Sequence, residues 1–73
     1  MTDMEELKRS LKKSPECYLP VLDYLEAGVR DFAGIAERTW FTEDEVMGIA
    51  CEVERKGLEN VRRHYEILAM AES

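Results

Sequence analysis

The side chains able to carry covalent, proton-transfer or metal chemistry are few and scattered. Cys17 and Cys51 are the only thiols and His64 the only imidazole in 73 residues. The cysteines stand 34 positions apart, outside any CxxC or CxxH spacing, so neither a zinc knuckle nor a redox pair is written here. A nucleophile needs a positioned base, and His64 lies in a cationic run, Arg62-Arg63-His64, far along the chain from both thiols. The cysteines read as small, semi-buried apolar residues, free thiols in a reducing compartment. Glu43 and Asp44 are an adjacent acid pair, but they fall where a helix begins, and the helix macrodipole accounts for them. Gly28, Gly34, Gly48 and Gly57 are isolated, so there is no glycine-rich phosphate loop. The expectation is a non-enzyme with no catalytic residue, no metal ligand and no cofactor.

Binding chemistry has more to work with. Ten basic against sixteen acidic side chains leave a net charge of −6. Residues 1–13 net +1, residues 14–42 and 43–56 net −3 each, and residues 57–73 net −1. A nucleic-acid duplex is repelled by the middle of such a chain, and DNA is disfavoured as a partner. Arg55, Arg62, Arg63 and His64 are the positions that would suit a phosphate backbone. Lys8, Arg9, Lys12 and Lys13 follow Glu5 and Glu6 at distances that read as a salt-bridged helix face, such as Glu5 with Arg9. With 45% apolar and 36% charged residues the chain is neither disordered nor membranous. No apolar run approaches the ~18–20 residues that span a bilayer. The start, Met1-Thr2-Asp3-Met4-Glu5-Glu6, lacks the basic and apolar regions of a signal peptide, so a cytoplasmic protein is expected.

At this length one domain with one small core is expected, and its elements can be read from caps and periodicity. Thr2 and Glu5 have capping-box spacing, and Met4, Leu7 and Leu11 fall on one face, giving an amphipathic helix over 1–13. Ser14-Pro15 opens a second helix in which Tyr18, Val21, Leu22 and Leu25 keep the helical period until Gly28. Pro20 means that this helix either starts there or is kinked in its first turns. Asp31 caps a short third helix with Phe32, Ile35 and Ala36 inward. After a break at Thr39-Trp40-Phe41, Thr42 and Glu45 form another capping box. It opens the most regular helix, Glu43 to Lys56, with a core stripe of Val46, Ile49, Ala50 and Val53. Gly57 can stop it with a left-handed residue, Leu58 folding back.

The run Asp31-Phe32-Ala33-Gly34-Ile35-Ala36-Glu37-Arg38-Thr39, then Phe41-Thr42-Glu43-Asp44-Glu45-Val46, then Glu54-Arg55-Lys56-Gly57-Leu58 resembles the helix-turn-helix core of winged-helix proteins of the prokaryotic transcription-regulator type. The resemblance rests on Ala36, Phe41, Thr42, Val46 and Gly57-Leu58 and covers residues 15–67. It implies a mainly α fold with a small β-hairpin, the core at 15–58, and a dimeric DNA-binding regulator. In that regulator Met4, Leu7 and Leu11 supply the dimer contact and the Arg62-Arg63 region meets DNA. Trp40 stands where the family usually has glycine, which implies a reshaped turn.

The tail reads two ways. As a wing over 58–68, Leu58-Glu59 and Tyr65-Glu66-Ile67 are short strands with Tyr65 and Ile67 inward, followed by a tail at 69–73. As a helix, Val61, Tyr65 and Leu68 share a face among good helix formers, giving an all-α helix-turn-helix core with a C-terminal helix.

On the helix from 43 to 56, the side opposite the core stripe is Asp44, Met47, Gly48, Cys51, Glu52 and Arg55. Base-reading helices present Arg, Lys, Asn, Gln, Ser and Thr there; this one has a single Arg and two carboxylates. Met47, Gly48 and Cys51 make a shallow, adaptable apolar strip, with Trp40 as a potential anchor. The residues therefore favour a winged-helix module that acts through protein contacts, with a homodimer through residues 3–13. The alternative is a regulator contacting DNA through a basic wing.

Overall fold

A computed structural model describes residues 6–8 and 13–72. Residues 6–8 are helical, a single 3-10 turn spans Pro15–Cys17, and four α-helices follow. These are α1 (Tyr18–Glu26), α2 (Phe32–Arg38), α3 (Glu43–Lys56) and α4 (Leu58–Glu72). Among the described residues there is no strand.

Each boundary has a local cause. The 3-10 turn runs straight into α1, so Pro20 falls in the first turn of the α-helix, where its missing N–H is one of the orphan donors. The irregularity expected at Pro20 is thus taken up by the 3-10 turn before it. The end of α1 is a Schellman motif. Gly28 takes φ 88°, its N–H donates to the Leu25 carbonyl at 3.1 Å, and the Val29 N–H donates to the Tyr24 carbonyl at 3.0 Å. Asp31 caps α2 by accepting from the Gly34 N–H at 3.1 Å. At the start of α3, Thr42 Oγ1 accepts from the Glu45 N–H at 3.3 Å and Glu45 Oε1 accepts from the Thr42 N–H at 2.9 Å. The capping box read from the sequence is complete.

The wing is the expectation that the described residues do not bear out. Residues 58–72 form α4, as the helical alternative proposed. Gly57 alone separates α3 from α4. Its φ is 90°, its N–H donates to the Val53 carbonyl at 2.8 Å, and its carbonyl accepts from the Val61 N–H at 3.1 Å. Asn60 Nδ2 donates to the Lys56 carbonyl at 2.6 Å, which satisfies another orphan acceptor of α3. A strand would alternate Tyr65 and Ile67 inward together. Tyr65 is half-buried instead while Ile67 is 58% exposed, because the packing follows Val61 and Tyr65 at the helical spacing.

The core is Val21, Leu22 and Leu25 of α1, Ile35 and Ala36 of α2, Phe41 of the turn, Val46 and Ile49 of α3, and Val61 of α4. Tyr18 closes one end, stacked on Tyr65 at 4.1 Å between ring centroids and edge-on to Phe41 at 4.8 Å. The turn between α2 and α3 departs from left-handed geometry, as Trp40 required. Thr39 is extended (φ −131°, ψ 179°), and no non-glycine residue among the described ones has positive φ.

Candidate functional site

The outward face of α3 follows from the periodicity that buries its opposite side. Val46 and Ile49 are buried, Ala50 and Val53 half-buried, and Asp44, Met47, Gly48, Cys51 and Arg55 are all exposed. Glu52 is half-buried and lines a groove of about 350 Å³ with Tyr18, Phe41, Glu45, Gly48, Ile49 and Tyr65. Met47 is 46% exposed. At Gly48 an added Cβ would meet nothing within 4 Å, so no packing within the chain requires a glycine there. Cys51 is an exposed free thiol; Cys17 is half-buried, its Sγ 3.5 Å from Ser14 Oγ.

Trp40 is 56% exposed. It borders a different concavity, of about 450 Å³, with Lys8, Glu37, Arg38 and Thr39, and none of Met47, Gly48 or Cys51 lines it. The structure thus keeps three of the four apolar contact candidates on one face and gives Trp40 a surface of its own.

The basic candidates are dispersed by the helix. Arg62 turns toward α1, its guanidinium 2.8 Å from Asp23 Oδ1 and 2.7 Å from Glu26 Oε2. The hydrogen bond to Asp23 raises its pKa, against the lowering effect of burial, with the Asp23, Glu26 and Glu66 charges adding to the rise. Arg63 and His64 are exposed, His64 lying edge-on to the Tyr65 ring at 5.2 Å. Arg55 is exposed in the last turn of α3, where a cation complements the helix dipole. The Arg62-Arg63-His64 run therefore forms no single cationic tip.

Lys8 and Lys13, which the sequence places on a salt-bridged exposed helix face, instead hold the turn in place. Lys8 Nζ donates to the Ala36 carbonyl and, at 3.1 Å, to the Phe41 carbonyl, so it caps the C-terminal end of α2. Lys13 Nζ donates to the Lys8 carbonyl at 2.6 Å and to Glu45 Oε2 at 3.2 Å, and stands 5.1 Å from the centroid of the Phe41 ring. Lysines are almost never buried unless paired, so nothing in their spacing announces this role. Of the three dimer candidates, Leu7 is 43% exposed, and Met4 and Leu11 lie outside the described residues.

Electrostatics sharpen at the groove beside Gly48. Burial pushes the Glu45 carboxyl up, but the Thr42 backbone N–H and then Lys13 outweigh it, and the net pKa is below the ordinary value. Burial, followed by the Glu52 charge and Tyr18, pushes Tyr65 up to about 12. Tyr18 is raised as well, by burial first and then by Glu45, Glu52 and Cys17. Among the described residues no group of three or more His, Cys, Asp or Glu could hold a metal ion. No described helix is long and apolar enough to cross a membrane.

Neither a family model, nor a curated protein, nor a solved structure matches the chain.

Proposed function

We propose that this protein is a small non-catalytic helical module that acts through protein contacts on the outward face of α3, in a transcription-associated role. One observation carries the reading. Where a groove-reading helix would present cations and amides, α3 presents Met47, Gly48 and Cys51, with Asp44 at one end and Arg55 at the other. The associated role leans on the resemblance of the α2, turn and α3 segment to a helix-turn-helix.

The competing reading is a regulator that binds DNA through Arg62, Arg63 and His64. Its support is the exposure of Arg63 and His64, beside the same resemblance. Against it stand the ion pairs of Arg62 with Asp23 and Glu26, and the net charge of −6, which repels a polyanion. A salt series with mixed-sequence duplex DNA separates the two. Protein-contact function predicts binding too weak to detect at physiological salt. Micromolar binding that falls steeply with added salt, and is abolished by Arg62→Ala with Arg63→Ala, would replace it with the DNA reading.

A further inference from the structure

Along one edge of its outward face, α3 carries two carboxylates at matched positions. Glu45 and Glu52 stand two helical turns apart, ~10 Å along the axis, so they leave the helix on the same side. Both line the groove of about 350 Å³ in which Tyr18, Phe41 and Tyr65 supply aromatic surface. The first of the two carboxylates shows what such a place holds. Lys13 Nζ lies 3.2 Å from Glu45 Oε2 and 5.1 Å from the centroid of the Phe41 ring, an ammonium held between a carboxylate and an aromatic ring.

Glu52 repeats the arrangement without the lysine. Among the described residues no ion pair holds it, although it is half-buried beside two tyrosine rings. A carboxylate taken partly out of water gains from a counter-charge. Its field reaches both rings: burial and then the Glu52 charge raise the pKa of Tyr65, and burial, Glu45 and then Glu52 raise that of Tyr18. The ring faces are electron-rich, so rings and carboxylate attract the same species, an ammonium. The approach is open, since an added Cβ at Gly48, one turn before Glu52, meets nothing within 4 Å. Gly48 lines the groove and also belongs to the exposed strip with Met47 and Cys51, so the groove opens onto that strip. A free small cation would touch the groove alone. A lysine carried on a partner segment reaches Glu52 with its ammonium while its methylenes and its neighbours cover the strip. The net charge of −6 draws a basic segment toward the protein.

We infer that the groove beside Glu52 and Tyr65 receives a lysine side chain from a basic segment of a partner protein, as the Glu45 and Phe41 end receives Lys13 of its own chain. The inference rests on the reading of the outward face of α3 as a protein-contact surface and names the chemistry of its partner. One ion pair and one ring contact at a half-exposed groove make a weak anchor, so a short peptide binds with a dissociation constant on the order of 0.1–1 mM.

The test is a titration of the full labelled chain, followed in amide spectra, with a capped peptide of lysines alternating with leucines and with its counterpart carrying glutamine for lysine. The lysine peptide is expected to shift the amides of Tyr18, Gly48, Glu52 and Tyr65 and to bind at least about tenfold more tightly than the glutamine peptide. Glu52→Gln should weaken binding about tenfold, whereas Glu54→Gln, an equal charge change at an exposed position outside the groove, should leave it within about twofold. Gly48→Lys supplies an independent readout. The new side chain has room, stands one turn from Glu52 and pairs with it, so it should raise thermal stability and exclude the peptide. Circular dichroism confirms that each chain is folded. No binding at about 5 mM peptide overturns the inference, as does equal binding of the glutamine peptide. Equal losses from Glu52→Gln and Glu54→Gln overturn it too, because they reduce the attraction to net charge. So does spermidine binding at these residues more tightly than the peptide, which makes the occupant a free polyamine, and so do shifts there on concentrating the protein alone, which make it a second copy. With duplex DNA unbound, these outcomes overturn the inference alone; salt-sensitive duplex binding overturns the protein-contact reading beneath it.

Discussion

Removal of the Thr42 hydroxyl should weaken the whole domain, because Thr42 joins α2, the turn and α3. It is the one buried polar residue among those described, 2% exposed, and both halves of the capping box pass through it. Loss of an N-cap hydroxyl costs ~1 kcal/mol, within a range of ~0.5–2. Loss of the methyl adds about 0.8 kcal/mol of buried apolar transfer. Thr42→Ala should therefore cost about 2 kcal/mol, a large share of the ~5 kcal/mol at the low end of domain stabilities. At ~4–8 °C per kcal/mol for a chain of this size, the melting temperature should drop by roughly 8–16 °C. Two further variants separate the contributions. Thr42→Ser keeps the acceptor and should lose under about 1 kcal/mol. Thr42→Val keeps the shape but leaves the Glu45 N–H without its acceptor, and should cost ~1–3 kcal/mol. Urea denaturation followed by circular dichroism at matched slope reads all three. An unchanged midpoint for Thr42→Ala, or a valine variant as stable as the parent, would refute the capping argument.

Other expectations follow from the same geometry. Acid should destabilise the fold partly through Glu45. Its folded pKa lies below the ordinary 4.5, so its contribution is full above that value and is lost as pH falls through the lowered one; Glu45→Gln should flatten that limb of a pH–stability profile. Alkali should act through Tyr65, whose raised pKa of about 12 gives a contribution complete below the ordinary 10.0 and lost as pH climbs toward 12; absorbance titration should show Tyr65 ionising late, with Tyr18 also above the ordinary value. Arg62→Ala should change stability by less than about 1 kcal/mol, since Asp23 and Glu26 are well exposed; a loss above 2 in urea denaturation would show that the pair matters more than its screening allows. Gly57→Ala should cost ~1–2 kcal/mol, because φ at this position is 90°, and thermal melts of the two chains compare directly.

Local rules carried the sequence a long way in this molecule. Asp31, the Thr42–Glu45 pair and the stops at Gly28 and Gly57 are signals within a few residues, and each stands where its chemistry puts it. The outward face of α3 was legible for the same reason: once Val46 and Ile49 face inward, the spacing assigns Met47, Gly48, Cys51 and Arg55 to solvent. The tail was not, because Tyr65 satisfies both a strand alternation and a helical stripe. What decides for a helix is distant in sequence: Tyr18 stacks on Tyr65, and Asp23 and Glu26 reach Arg62. The roles of Lys8 and Lys13 were hidden for a related reason. Their acceptors, the Ala36 and Phe41 carbonyls and Glu45, are brought near only by the folded turn.

The most direct test of the account is a titration of the uniformly labelled chain with mixed-sequence duplex DNA at physiological salt, followed in amide spectra. The predicted result is a spectrum that does not change, at Arg55, Arg62, Arg63 and His64 as elsewhere. Shifts centred on those four residues that fade with added salt would contradict the reading of the outward face of α3 as a protein-contact surface and put the DNA reading in its place.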